Sequence, residues 1–276
     1  MTDIIHAWLG DLREVLHAES LTVIDVRIGV FYTAARLSTG DVGVAFTPRG
    51  LEDTVCCPKS AAEAPPAGRI AGQQAWALAE YAFSPIALRR AAGVAVLNAL
   101  SALAMARHGI PGGRLVEGLD ALDAVEIRTD DRVAMVGAFV PFIKKLRGRV
   151  ADLWIIDKHR EALKPDELPF WKPPEQAAET LAQASVVIIS GSALVEGEID
   201  GLLAASSRAR KKILAGPTAS PWPPTFFDRG VDVLGGIRVL DAQRILAIVS
   251  EGGSGYFFED AAEKVSIVRN GKAPSA

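Results

Sequence analysis

Apolar positions along the first half of the chain alternate between helical and extended spacing. Ile4, Ile5, Trp8, Leu9, Leu12, Val15 and Leu16 recur with the period of an amphipathic helix over residues 4–16. Two extended runs follow, at 22–37 and 42–46, and Ser38-Thr39-Gly40-Asp41 between them is a hairpin signal. Residues 51–68 carry Pro58, Pro65 and Pro66 and read as irregular. Helical runs at 70–82 and 86–106 are separated by Ser84-Pro85, and Pro85 suits the first turn of the second helix. The first hundred residues thus read helix, strand, strand, helix, helix.

The pattern changes in the second half. Continuous apolar runs at 133–136, 153–156, 186–189, 213–215 and 231–234 end at Gly137, Asp157, Ser190, Gly216 and Gly235-Gly236. Helical or loop material separates them at 139–146, 174–182, 194–205 and 240–249. Apolar strands alternating with helices predict a doubly wound parallel sheet covered on both faces. The expected organisation is a small α+β domain over 1–110, a linker over 111–130 around Pro111-Gly112-Gly113, and a Rossmann-like α/β domain over 131–276.

In such sheets ligands bind beyond the carboxyl ends of the strands, so the loops there are the candidate site. Gly216-Pro217-Thr218 opens a rim loop in which hydroxyls could face a ligand while prolines hold them in place; a rigid connector is the plainer alternative. Gly137 and Asp157 lie twenty positions apart, the spacing at which dinucleotide folds place a ribose-binding acid. The loop itself is Gly137-Ala138-Phe139-Val140-Pro141-Phe142, with Phe139 and Pro141 where small residues should admit a pyrophosphate. A standard NAD site is therefore not expected, and Asp157 serves either a polar ligand or a strand-end turn. Ser190, Gly191 and Ser192 could hold an anion at a helix start or simply cap it. Glu251, Gly252 and Gly253 read as a helix end, or, with Ser254, as a flexible flap or an anion-binding loop. Asn98 falls mid-helix among apolar residues, where it must bond a nearby backbone group or reach the cleft.

Hydrophobic residues make up 49% of the 276-residue chain, enough for a sizeable core, and the net charge of −3 points to no polyanionic partner. No basic patch interleaved with aromatics suggests nucleic acid. The longest apolar run, 91–106, is short of the ~20 residues of a membrane span and reads as a buried helix. The amino terminus lacks the basic start of a signal peptide, so a reduced, cytoplasmic protein is expected, with Cys56 and Cys57 as small core thiols. The histidines His6, His17, His108 and His159 are far apart, and neither C-x-x-C nor H-E-x-x-H occurs. Whether Cys56 and Cys57 bind metal stays open. His159, beside Asp157 at the rim, is the histidine of interest. A homodimer is the expectation from the prevalence of two-fold symmetry.

The ordered segments IGVFYTAARLSTGDVGVAFTP, AAGVAVLNALSA, VGAFVPFIKKLR, ISGSALVEGEIDGLL, AGPTASPWPPTFFDRGVDVLGG and EGGSG resemble a family of bacterial and archaeal proteins labelled "putative heavy-metal chelation". The resemblance implies an amino-terminal domain similar to that of enolase, a Rossmann-like domain after it, and a site in the cleft between them. It places Asn98, Gly137, Phe139, Pro141, Ser192, Gly216, Pro217, Thr218, Glu251, Gly252 and Gly253 at motif positions. Together with the rim loops it implies the handling of a small anionic molecule, with a metal ion or metal chelate as the candidate cofactor. Two other readings stand beside it: an enzyme acting on a nucleotide-like or metal-cofactor precursor, with Glu251, Asp157 or His159 as acid–base groups, and a subunit of a larger assembly.

Overall fold

The computed structural model describes residues 3–48 and 64–271. Cys56 and Cys57 lie outside the described residues. Helix α1 (Ile4–Val15) starts at Asp3, whose carboxylate accepts the His6 N–H at 2.9 Å and so satisfies an orphan amide of the first turn. Strands β1 (Val23–Ile28), β2 (Tyr32–Leu37) and β3 (Val42–Phe46) form an antiparallel sheet in that order. The extended run at 22–37 is thus two strands rather than one. The Gly29 N–H to Tyr32 carbonyl bond closes the turn between them, and Gly29 lies so close to the chain near Val249 that a Cβ would meet its carbonyl at 2.1 Å.

Helices α2 (Ala75–Ala79) and α3 (Ala87–His108) follow, joined by a short 3₁₀ turn. Residues 70–74 are turn rather than helix, because Gly72 adopts φ +89° and Gln74 bridges to Thr22. Helix α3 is the hub of the amino-terminal half and packs against β2 and β3. Side-chain alternation divides the faces of this sheet: Ala35, Ala45 and Gly43 face α3, while Ala34, Val42 and Val44 face a cluster with Ile245, Leu246, Ile248 and Val249. Strands β2 and β3 are thus buried on both sides, whereas the edge strand β1 is largely open.

The second sheet contains β4 (Gly113–Glu117), β5 (Arg132–Val136), β6 (Asp152–Ile156), β7 (Trp171–Lys172), β8 (Val186–Ser190), β9 (Lys211–Ala215), β10 (Val233–Val239) and β11 (Ala262–Arg269). Their order is β4-β11-β10-β9-β8-β5-β6-β7. From β10 to β7 neighbouring strands run parallel, whereas β11 is antiparallel to both β10 and β4. The fold is α/β as expected, but the sheet is mixed, not wholly parallel. The segment 111–130, expected as a linker, supplies the edge strand β4. Strand β10 does not end at Gly235-Gly236 but runs through it. Added Cβ atoms there would strike Ala121 Cβ at 2.3 Å and Ser220 Oγ at 2.3 Å, so bare glycines let neighbouring segments lie against the strand.

Helices α4 (Val140–Leu146), α5 (Ala177–Gln183), α6 (Ser192–Glu196), α7 (Ile199–Ala205), α8 (Pro223–Asp228) and α9 (Ala242–Ser250) cover this sheet. The helical run at 194–205 is broken into α6 and α7 at Gly197, which is left-handed at φ +76°. Pro221-Trp222-Pro223-Pro224 is less a stiffened rim than a helix start: Pro223 opens α8 and Trp222 is buried. Helix α1 reaches across to the second half, where Trp8 meets Phe226 edge-on at 5.6 Å and the Ile4 N–H donates to Asp200.

At the end of the sheet opposite the rim, buried Asp131 accepts from the Arg128 amide at 2.7 Å, the Ser185 hydroxyl at 2.7 Å and the Arg210 guanidinium. Burial pushes this carboxyl up, but the hydrogen bonds from Arg210, Arg128 and Ser185 outweigh it and hold it below the usual range. A depressed folded value means that this stabilisation is complete above about pH 3.9, the unfolded value, and is lost as pH falls through the lower folded value. Asp131→Asn is expected to cost about 1–3 kcal/mol at neutral pH. Urea melts from pH 2 to 7 check this, and the two curves are expected to converge at the acid end.

Candidate functional site

The rim of the eight-stranded sheet lies under the β1–β3 layer, and a cavity of about 660 Å³ opens between them. Phe31, Tyr32 and Phe46 come from the small sheet, and Phe139, Pro141 and Pro217 from the loops after β5 and β9. Tyr256 and Phe258 close it from the segment after α9, and Asp120, Glu259 and Lys264 supply charge. The walls are aromatic and aliphatic. Phe139 stacks on Phe142 with ring centroids 5.4 Å apart, and Tyr32 tilts against Phe258 at 5.1 Å. Gly255 forms a neck, because a Cβ there would come within 3.3 Å of the Tyr32 hydroxyl and 3.4 Å of Pro217. Tyr256 and Phe257 are both largely exposed beside it.

Of the residues singled out from the sequence, Phe139, Pro141, Gly216 and Pro217 line this cavity. Gly216 adopts φ +106°, and a Cβ there would touch the Phe139 ring at 3.7 Å, so glycine both permits the turn and leaves the aromatic wall in place. Gly137, Ser190, Gly191 and Ser192 form the packing behind the rim. A Cβ on Gly137 would meet Ser190 Cβ at 2.9 Å, and one on Gly191 would meet the Ala219 nitrogen at 2.8 Å. The Ser190 hydroxyl accepts the Ser192 N–H at 3.3 Å, which is a local turn.

The rim amides are already engaged. Gly137 donates to Ile156, Gly191 to Ala215 and Gly216 to Gly235. Ala138 N–H donates to Asp157 Oδ2 at 2.9 Å, and His159 N–H donates to Asp157 Oδ1 at 2.8 Å. Asp157 therefore ties two rim loops together through both of its oxygens. His159 is exposed and pairs with Glu161 at 3.0 Å. Glu251 is exposed at the end of α9, and Gly252, at φ +74°, with Gly253 closes that helix by donating to Val249 and Ile248. Among these groups, Asp157, His159 and Glu251 do not line the cavity.

Asn98 and Thr218 join the two sheet systems. The buried Asn98 amide donates to the Val44 carbonyl at 2.8 Å and the Thr218 carbonyl at 2.9 Å. The Thr218 hydroxyl, also buried, accepts the Phe46 N–H at 2.8 Å. The polarity of this loop thus serves β3, rather than turning a free hydroxyl toward a ligand. Asn98 therefore bonds backbone, the first of the alternatives weighed for it, and the two carbonyls come from the two sheet systems.

Sequence reasoning missed the contribution of Phe31, Tyr32 and Phe46, and of Asp120, Tyr256, Phe258, Glu259 and Lys264. The aromatic pairs Phe31-Tyr32 and Tyr256-Phe257 beside glycines were a usable signal. Lys264 was not accessible that way, because β11 carries no helix-alternating context. Among the described residues no three or more His, Cys, Asp and Glu side chains are placed to hold a metal ion. The described donor set does not fit a protein-built metal cage.

The architecture defines a class: an α/β protein with a small three-stranded layer clasped onto a mixed, mainly parallel eight-stranded sheet, and a cleft at their junction. The chain belongs to the DUF364 family, whose description is "putative heavy-metal chelation"; that family matches residues 120–268, and a companion family of the same description matches 13–101. An uncharacterized protein of Methanocaldococcus jannaschii is 26% identical over 184 residues, 65% of this chain and 66% of the relative, so the alignment spans just under two-thirds of its length. The crystal structure of a DUF364 protein of unknown function from Pyrococcus horikoshii matches with TM-score 0.79 at 18% identity, covering 97% of this chain and 100% of that one. Another, from Desulfitobacterium hafniense, matches with TM-score 0.73 at 20% identity, over 96% and 99% of the two chains. These likenesses establish the fold.

Proposed function

We propose that the chain binds a small, flat organic molecule in the cleft at the carboxyl ends of β5 and β9, and that its metal, in the sense of the family description, arrives as a chelate rather than as a bare ion. The observation that carries this reading is the aromatic lining of the 660 Å³ cavity: Phe31, Tyr32, Phe46, Phe139 and Tyr256 converge on it from both sheet systems. A cavity of that size and apolar character suits a drug-sized ligand, with a few polar groups fixing its orientation. Here those groups are Ser254, Asp120, Glu259 and Lys264. Asp120 is ion-paired with Lys145, which leaves Lys264 as the lining cation for an anionic substituent. The engaged rim amides argue against a phosphate cradle. The enzymatic reading loses its acid–base candidates from the cavity wall, since Glu251, Asp157 and His159 lie elsewhere.

The test compares a planar, anionic nickel chelate, nickel bis(maleonitriledithiolate), with nickel ion alone by calorimetry, alongside native mass spectrometry of protein purified without chelators. The chelate is expected to bind and the bare ion not. Phe139→Ala should weaken the chelate up to about tenfold through loss of aromatic contact. Gly255→Leu should block the neck. Binding of the bare ion in preference to the chelate, or chelate binding indifferent to both substitutions, would overturn the proposal.

A further inference from the structure

A second cavity, of about 710 Å³, lies on the other flank of the Asn98–Thr218 clasp, between β3 and α3 on one side and β4, β10 and β11 on the other. Gly236, Ile237 and Val265 line both cavities. Its walls are apolar, with Val42, Val44, Met105, Ile110, Leu115 and Ile267 among them. Two polar features stand out against these walls. Asn98, which lines this cavity, has its amide nitrogen fully engaged, yet its buried Oδ1 receives no hydrogen bond among the described residues. The two carbonyls on the nitrogen side forbid exchanging the amide's ends, so the orphan atom is an acceptor that needs an N–H or O–H. A buried acceptor left without a donor is costly, and in a native protein it calls for a partner.

The second feature is Arg114, on the edge strand β4 and exposed at the same cavity, with no acidic partner among the described residues. The cavity's other arginine, Arg238, is held by Glu117 and Glu263, and Asp41 at the opposite lip accepts the Thr39 hydroxyl at 2.6 Å. An acceptor at the buried clasp, apolar walls and an uncommitted guanidinium at the surface describe the complement of one kind of molecule. We propose that this cavity is a second binding site, for an apolar-bodied small molecule that carries an N–H or O–H donor at its buried end and an anionic group at its outer end. Asn98 accepts from the donor, and Arg114 pairs with the anion, to which a guanidinium can offer two parallel N–H groups.

2-Anilinonaphthalene-6-sulfonate is a direct probe, since it carries an anilino N–H and a sulfonate on opposite ends of an aromatic body, and its fluorescence rises in apolar surroundings. Titration of the full chain is expected to show binding that Arg114→Ala weakens on the order of tenfold, the range for a charged hydrogen-bonded contact. Ala106→Trp, on the exposed turn of α3 that lines the cavity, should obstruct entry without entering the core. Both variants should melt like the parent, because neither residue is buried. Phenylnaphthylamine, which keeps the N–H but lacks the sulfonate, should bind the parent and Arg114→Ala alike. The dye also suits the first cavity, so two binding components are expected, and Phe139→Ala should weaken one of them while leaving unchanged the component that Arg114→Ala weakens. Dye binding that ignores Arg114→Ala and Ala106→Trp, or that responds to Phe139→Ala alone, would overturn the proposal.

Discussion

Gly43→Val is expected to abolish the native fold or lower its stability by more than about 4 kcal/mol, the largest effect of any single change considered. A Cβ at position 43 would stand 2.1 Å from the Ala95 carbonyl oxygen, 2.2 Å from the Ala99 nitrogen and 2.7 Å from the Asn98 carbonyl carbon. All three are backbone atoms of α3, so no rotamer change can make room. Overpacking of a core usually costs about 1–3 kcal/mol because side chains yield; here the helix or the sheet must move as a unit. Gly43 is also the neighbour of Val44, whose carbonyl meets Asn98. Displacing β3 therefore opens the clasp and both cavities together. Thermal melts of Gly43→Ala and Gly43→Val provide the check. Gly10→Ala, whose added Cβ would meet nothing within 4 Å, is the control expected to melt like the parent.

Asn98→Leu follows, with an expected loss of about 2–5 kcal/mol. From the sequence, leucine would be tolerated if Asn98 merely filled a contact between helices. The structure instead places its amide between the Val44 and Thr218 carbonyls, one on each side of the cleft. Leucine would leave both without this donor, at about 1–3 kcal/mol for each buried group left unsatisfied. Removal of the unpartnered Oδ1 offsets part of that loss. Asn98→Asp keeps the shape but replaces the two N–H donors by acceptors, and should be worse still. Urea unfolding of both variants tests this ranking. Equal stability of parent and Asn98→Leu would show that the junction does not depend on the amide.

The legible parts of the fold were those with strong local period. The runs at 133–136, 153–156, 186–189 and 213–215 lie within β5, β6, β8 and β9, because a strand buried on both faces is apolar throughout. Helices α1 and α3 followed from their spacing. Strands β4 and β11 escaped because GRLVE and AEKVSIVR interrupt their apolar positions with charge and run antiparallel, and their place depends on pairing with each other and β10. Strand β10 was cut short because paired glycines ordinarily interrupt a strand; here they admit Ala121 and Ser220 against its backbone.

The same division holds at the site. Phe139, Pro141, Gly216 and Pro217 were visible because strand-end loops of an α/β sheet have a known location relative to ligands. The roles of Asp157, Thr218, Ser190 and Glu251 were not, since a carboxylate or hydroxyl at a rim can face a ligand or a neighbouring amide equally well. Only the placement of Ala138, His159 and Phe46 beside them decides which. By itself, the sequence determined the α/β class, the buried helix around Asn98 and the rim on which the cavity stands, because local periodicity and turn chemistry are properties of contiguous residues. The tertiary structure alone decided that two cavities flank one clasp, which of the rim's polar groups are already bonded, and that Asn98 keeps an acceptor to spare. Those facts depend on atoms 54 and 120 positions apart in the chain being brought within hydrogen-bond distance.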